Sequence, residues 1–119
     1  MTKGETFGQT LRRLREDAEI SLRAFAKMVD RTPTYISKIE RGELAPPAEE
    51  VIEKMARILK QNLDDMITLA GRIPSDLPDI IRKNPKEMAF MLRTAKKLTP
   101  AQLEEITNSI AGMINKKKV

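Results

Sequence analysis

The run SLRAFAKMVDRTPTYISKIERG, from Ser21 to Gly42, restricts this chain more than any other, because it reads as two short helices joined by a tight turn. Ser21 is a favoured helix N-cap, and behind it Leu22, Phe25, Ala26 and Val29 recur at the three-and-four spacing of a buried helical face. That spacing predicts a helix of about eight residues. Thr32 and Pro33 open a second helix. Threonine caps it, and proline brings the φ of a first helical turn while giving up only an amide that would be unpaired there. In this helix Ile36 and Ile39 point inward, Thr34, Tyr35, Ser37, Lys38 and Arg41 are left outside, and Gly42 supplies the left-handed residue that ends it. A short helix whose outer face mixes hydroxyls and cations suits contact with base edges and phosphates.

The run TYISKIERG, from Thr34 to Gly42, together with LRRLRED upstream and a further amphipathic helix downstream, closely resembles the Xre-type helix-turn-helix family. These are the lambda-repressor-like DNA-binding domains that include Cro and the phage repressors. The resemblance covers roughly residues 5 to 71. It implies that Pro33 to Arg41 is a recognition helix lying in the major groove, with Thr34, Ser37 and Lys38 contacting bases. Tyr35 and Arg41 are then expected on the DNA backbone with Thr32, and so is the start of the preceding helix, Ser21, Leu22 and Arg23, where helix-end amides and the arginine charge add to one another. The resemblance also pairs Arg15 with Glu40, a structural ion pair holding the first helix against the recognition helix. Two positions depart from the family pattern. Asp30 stands in the turn where glycine is usual, which asks a non-glycine residue for a positive φ at some steric cost. The loop Glu43 to Pro47 is acidic and apolar where phage repressors often carry basic residues.

Composition narrows the function classes. The chain has 119 residues, no cysteine and no histidine, which removes disulfides, thiolate metal sites and the commonest acid-base group together. No metal, cofactor or enzymatic role is expected, since nothing resembles a nucleophile-base pair or a metal cluster. The amino terminus MTKGETFGQTLRR has no apolar core and no run is long enough to span a membrane, so a cytoplasmic location is expected. The net charge of +5 is unevenly placed. Residues 1 to 71 hold twelve basic and twelve acidic residues, so the whole excess belongs to residues 72 to 119. Within the first part, residues 12 to 41 hold eight bases against five acids and residues 42 to 71 three against six. Such a domain is polarised, basic on the helix-turn-helix side, which orients it on DNA without making it a general polyanion binder.

The remaining pattern is helical throughout, giving an all-α chain. Residues 1 to 71 are expected to form a five-helix lambda-repressor-like DNA-binding domain, 72 to 78 a linker, and 79 to 119 a helical extension. A first helix buries Phe7, Leu11 and Leu14, and a fourth, about Ala48 to Lys60, buries Val51, Ile52, Met55, Ala56 and Leu59 while carrying Glu49, Glu50 and Glu53 in its dipole-favoured first turns. Asn62 caps a fifth that packs Leu63, Met66, Ile67 and Ala70 inward and ends at Gly71. In the extension, Pro78 to Lys83 and Pro85 to Lys97 are helical, and Thr99 with Pro100 and Gln102 opens a longer helix. There Leu103, Ile106, Ile110 and Met113 form a coiled-coil-like seam with polar flanks. This stripe either folds back on its own domain or forms a dimer interface, and the completed five-helix core favours the dimer. Met88, Met91 and Met113 are expected as core filler, and Lys116 to Lys118 as a solvated end.

These features point to a dimeric, sequence-specific regulator on a palindromic double-stranded operator, repressing by excluding polymerase from the promoter. Some members with short helical extensions are phage- or defence-associated and are inactivated when a partner metallopeptidase cuts the extension, a partner the resemblance implies here. The alternative is a protein-binding adaptor or transcriptional coactivator built on the same module, which a recognition helix without outward hydroxyls or cations would favour.

Overall fold

The computed structural model describes residues 4–117, without the side chains of Lys116 and Lys117. The lysine run at the carboxy terminus therefore lies outside the described side chains, and Met1 to Lys3 and Lys118 lie outside the described residues. Eight helices and no strand occur among the described residues: α1 (Phe7–Asp17), α2 (Leu22–Met28), α3 (Pro33–Glu40), α4 (Glu49–Leu59), α5 (Leu63–Leu69), α6 (Leu77–Lys83), α7 (Pro85–Ala95) and α8 (Pro100–Lys117). None of them is long and apolar enough to cross a membrane.

The helix starts are set by local chemistry. Ser21, Thr32 and Asn62 each accept a hydrogen bond from the amide three residues on, at 3.1, 3.1 and 2.9 Å. Thr6 and Gln9 cap α1 reciprocally, and Thr99 and Gln102 do the same for α8. Helix α4 has no side-chain cap and instead carries Glu49 and Glu50 in its first turn. Gly42, at φ +77, ends α3, and Gly71, at φ +76, ends α5.

Two compact units divide the chain, one ending at Ser75 and the other beginning at Asp76. In the first, α1 to α5 enclose a single core in which Leu11, Phe25, Ile36, Ile52 and Met55 are fully buried. Each such side chain contributes about 1.5–3 kcal/mol by leaving water. Gly8 lets α1 meet α3 at backbone distance: a Cβ at that position would stand 2.2 Å from the carbonyl oxygen of Ile39 and 2.8 Å from that of Glu40. Of residues 72 to 78, Arg72 and Ser75 are hydrogen-bonded into the first unit, and Leu77 already opens α6.

The second unit holds α6 to α8, and none of its described residues is fully buried. Met91 and Met113 are exposed and Met88 is half-buried, so the expectation that they fill a core is corrected. So short a helical segment has too little apolar surface to enclose a side chain, and the apolar stripes stay open along α7 and α8. Leu103, Ile106 and Ile110 are each a little under half exposed, and Met113 is 67% exposed.

Candidate nucleic-acid interface

The α2–turn–α3 segment presents its polar residues as the periodicity requires. Ile36 and Ile39 are buried, while Thr34, Lys38 and Arg41 are exposed and Tyr35 and Ser37 half-buried. Positions 34, 37, 38 and 41 follow the three-and-four rule, so Thr34, Ser37, Lys38 and Arg41 lie along one outward stripe. Helix α3 stops at Glu40, and Arg41 occupies its C-cap rather than its last helical position. Thr32 and Ser21 use their hydroxyl oxygens as caps, leaving the hydroxyl protons free to donate. Leu22 is half-buried against the core and Arg23 exposed beside it.

The turn adopts the conformation that Asp30 was expected to need. Its φ is +56°, and its carboxylate accepts a 3.4 Å hydrogen bond from Lys54 of α4. Behind the turn, Arg15 makes a bidentate contact with Glu40, Nε to Oε2 at 2.7 Å and Nη2 to Oε1 at 3.0 Å, and donates a third bond to the carbonyl of Ile20 at 2.9 Å. Both side chains are nearly buried, and the hydrogen bond to Glu40 pushes the guanidinium pKa above its ordinary value. One side chain thus joins α1, the end of α3 and the turn before α2.

Ion pairing sorts the cations of this region into two groups. Arg12 meets Glu16, Arg13 meets Glu5 and Asp17, and Arg41 meets Glu43 at 2.8 Å. The Glu5 hydrogen bond raises the Arg13 pKa as well. Arg23, Lys27, Arg31 and Lys38 have no carboxylate at ion-pair distance among the described residues. All four belong to α2, the turn or α3. Arg23, Lys27 and Arg31 line one shallow cleft with Asp30, Thr32, Pro33 and Tyr35, and the Arg31 guanidinium lies 5.9 Å from the centre of the Tyr35 ring. Lys27 and Arg31 went unassigned from the sequence. The signal was spacing, since Lys27 stands four residues after Arg23 and Arg31 four before Tyr35.

The loop after α3 contributes little charge of the right sign. Glu43 neutralises Arg41, and Leu44 and Ala45 are exposed without a cationic neighbour in the loop. An exposed pair of this kind is worth only about 0–1 kcal/mol, so Arg41 is easily drawn to another anion.

Residues 6–67 match the family model of the helix-turn-helix domain. Among curated proteins of Bacillus subtilis (strain 168), the chain is 34% identical over 77 residues to RghRB, described as an uncharacterised HTH-type transcriptional regulator. That alignment covers 65% of this chain and 55% of RghRB. It is 33% identical over 69 residues to the HTH-type transcriptional repressor RghR, covering 58% and 51% of the two chains. The chain thus spans about half the length of the curated relatives it matches. A solved complex of the SinR protein with the SinI protein is similar over 92% of this chain and 99% of the other, with 17% identity and a TM-score of 0.50, a likeness of fold alone.

Proposed function

The chain belongs to the helix-turn-helix domain family, and from that premise we propose that it is a sequence-specific DNA-binding transcriptional repressor acting as a dimer. The observation that carries this reading is the unneutralised cationic surface of α2 and α3. Three cations without carboxylate partners, Arg23, Lys27 and Arg31, stand beside an outward stripe of Thr34, Ser37 and the equally unpaired Lys38, on the buried scaffold that Arg15 and Glu40 brace. Thr34, Ser37 and Lys38 read base edges in the major groove. Ser21, Leu22, Arg23, Thr32, Tyr35 and Arg41 contact the sugar-phosphate backbone, joined by Lys27 and Arg31 from the cleft. The name of RghR as a repressor supports the same sense of regulation, and occlusion of a promoter needs no domain beyond the one that binds.

Dimerisation through Leu103, Ile106, Ile110 and Met113 supplies the second half-site of a palindromic operator. Its support is the open apolar seam of α8, which nothing in the described second unit covers. A cytoplasmic location follows the same reading. Cleavage by a partner metallopeptidase forms no part of it.

Selection from random duplex DNA, followed by titration of variants, tests the proposal. Lys38→Ala should weaken the selected sequence by about 1–3 kcal/mol and relax preference at one base pair per half-site, whereas Arg23→Ala should weaken all sequences alike. Failure to enrich any sequence overturns the reading. Equal loss on selected and random DNA for Lys38→Ala moves that residue to the phosphate contacts.

A further inference from the structure

The chain does not drift out of the first unit after α5 but is fastened down for four residues. Past Gly71, the Arg72 amide donates to the Ile67 carbonyl at 3.0 Å, and Arg72 Nη2 donates to the Pro46 carbonyl at 3.0 Å, in the loop that follows α3. Pro74 is half-buried, with its φ fixed by the ring. Ser75 then donates twice to the carboxylate of Glu49 in the first turn of α4, from its amide at 2.9 Å and from its hydroxyl at 2.5 Å. Asp76, the next residue, is already the N-cap position of α6. A single residue therefore separates this clasp from the first helix of the second unit.

We infer that Glu49 and Arg72 are positioning residues that set which half-site spacing the protein accepts on DNA, by fixing the point at which the chain leaves the DNA-binding unit. The inference rests on the dimeric, two-half-site reading above and adds to it a determinant of specificity that touches no base.

Reach and step size give it content. Each inserted base pair carries the second half-site about 3.4 Å along the axis and turns it by roughly 35°. One residue spans at most about 3.3–3.6 Å, and Asp76 alone lies between Ser75 and α6, so with the clasp closed the chain between them can extend by no more than one such span. With the clasp open, residues 73 to 75 become a three-residue tether reaching about 10 Å, enough to follow one or two base pairs. The closed state makes spacing strict and the open state makes it lax. Glu49 is also the only carboxylate the described residues place on Ser75, so its loss frees that end of the clasp as the loss of Arg72 frees the other.

The test uses the full chain as wild type, as the double variant Glu49→Ala with Arg72→Ala, and as Glu50→Ala, which removes a carboxylate from the same helical turn without touching the clasp. Each is titrated on the selected operator and on versions with one or two base pairs inserted or removed between half-sites. Sedimentation of the same samples checks the dimer. Wild type and Glu50→Ala are expected to lose about tenfold or more in affinity on each altered spacing, as simultaneous engagement fails, and the double variant less than about threefold. A folded, dimeric double variant with the wild-type spacing profile overturns the inference. Wild type that selects no two-half-site sequence overturns the functional reading, and the inference with it. Should the double variant fail to fold by thermal melting, Arg72→Ala alone, which leaves the first turn of α4 intact, is expected to flatten the profile, and an unchanged profile there is equally fatal.

Discussion

Gly8 is where the first unit tolerates least. In an exposed helix, replacing glycine by alanine gains about 1 kcal/mol in propensity. Here the added methyl would meet two carbonyl oxygens at the end of α3 at less than van der Waals distance, and neither belongs to a side chain that can swing away. Gly8→Ala should therefore destabilise the domain by about 1–3 kcal/mol, measured by urea denaturation, and shift amide resonances at Ile39 and Glu40. A neutral or stabilising result would mean that α1 and α3 separate easily. Arg15 and Glu40 lie at the same junction. With both side chains nearly buried, removing either one strands a charge, so each single alanine variant should cost about 3 kcal/mol and the pair less than the sum. A double-mutant cycle without coupling would deny the pair any energetic role. The guanidinium, its pKa pushed further up by Glu40, stays charged at any pH the fold survives, so this brace does not titrate from the arginine side.

At the scale of elements, the helix starts were legible, and of the contacts between helices only the Arg15–Glu40 pair was, through the family resemblance. Ser21, Thr32, Asn62 and Thr99 announce helices because a cap involves residues three apart, within reach of a sequence reading. The hydrophobic periodicity likewise reveals which faces of α1 to α5 are buried. Gly8 sits in the same periodic pattern without advertising that another backbone lies against it, because its partners are more than thirty residues away. Glu19 and Lys60 adopt positive φ, at +58° and +56°, and neither residue type signals a left-handed turn as glycine or Asp30 does. Glu49 is the clearest omission from the site. A dipole-favoured glutamate at a helix start has the same sequence signature whether or not a distant serine binds it. The two hydrogen bonds from Ser75, with the nearby charge of Arg72, hold its carboxyl below the ordinary value of 4.5. A carboxyl whose pKa falls on folding gives stability that is present above the unfolded pKa and lost as pH drops through the folded one. Attachment of Ser75 to α4 should thus persist at neutral pH and fail in acid. Carboxyl titration by NMR is expected to place the Glu49 midpoint below 4.5, in step with the Ser75 amide shift, and a midpoint at or above 4.5 would remove the clasp as a stabilising contact.

The whole molecule pairs a closed domain with an open one. Charge on α8 should disrupt the second without disturbing the first, because its seam residues make no part of the first core. Ile106→Asp with Ile110→Asp is expected to leave the thermal transition of the first unit in place, convert a dimer to a monomer by sedimentation, and lower operator affinity by about 100-fold or more. A variant that stays dimeric would move the interface elsewhere. The fully enclosed core of α1 to α5 and the complete lack of one in α6 to α8 also bear on gene dosage. Where monomer predominates, the amount of dimer follows the square of the monomer concentration, so doubling expression raises dimer about fourfold. On the dimeric repressor proposed above, an extension whose described residues enclose no side chain of their own would in this way turn a modest change in protein level into a sharper change in promoter silence.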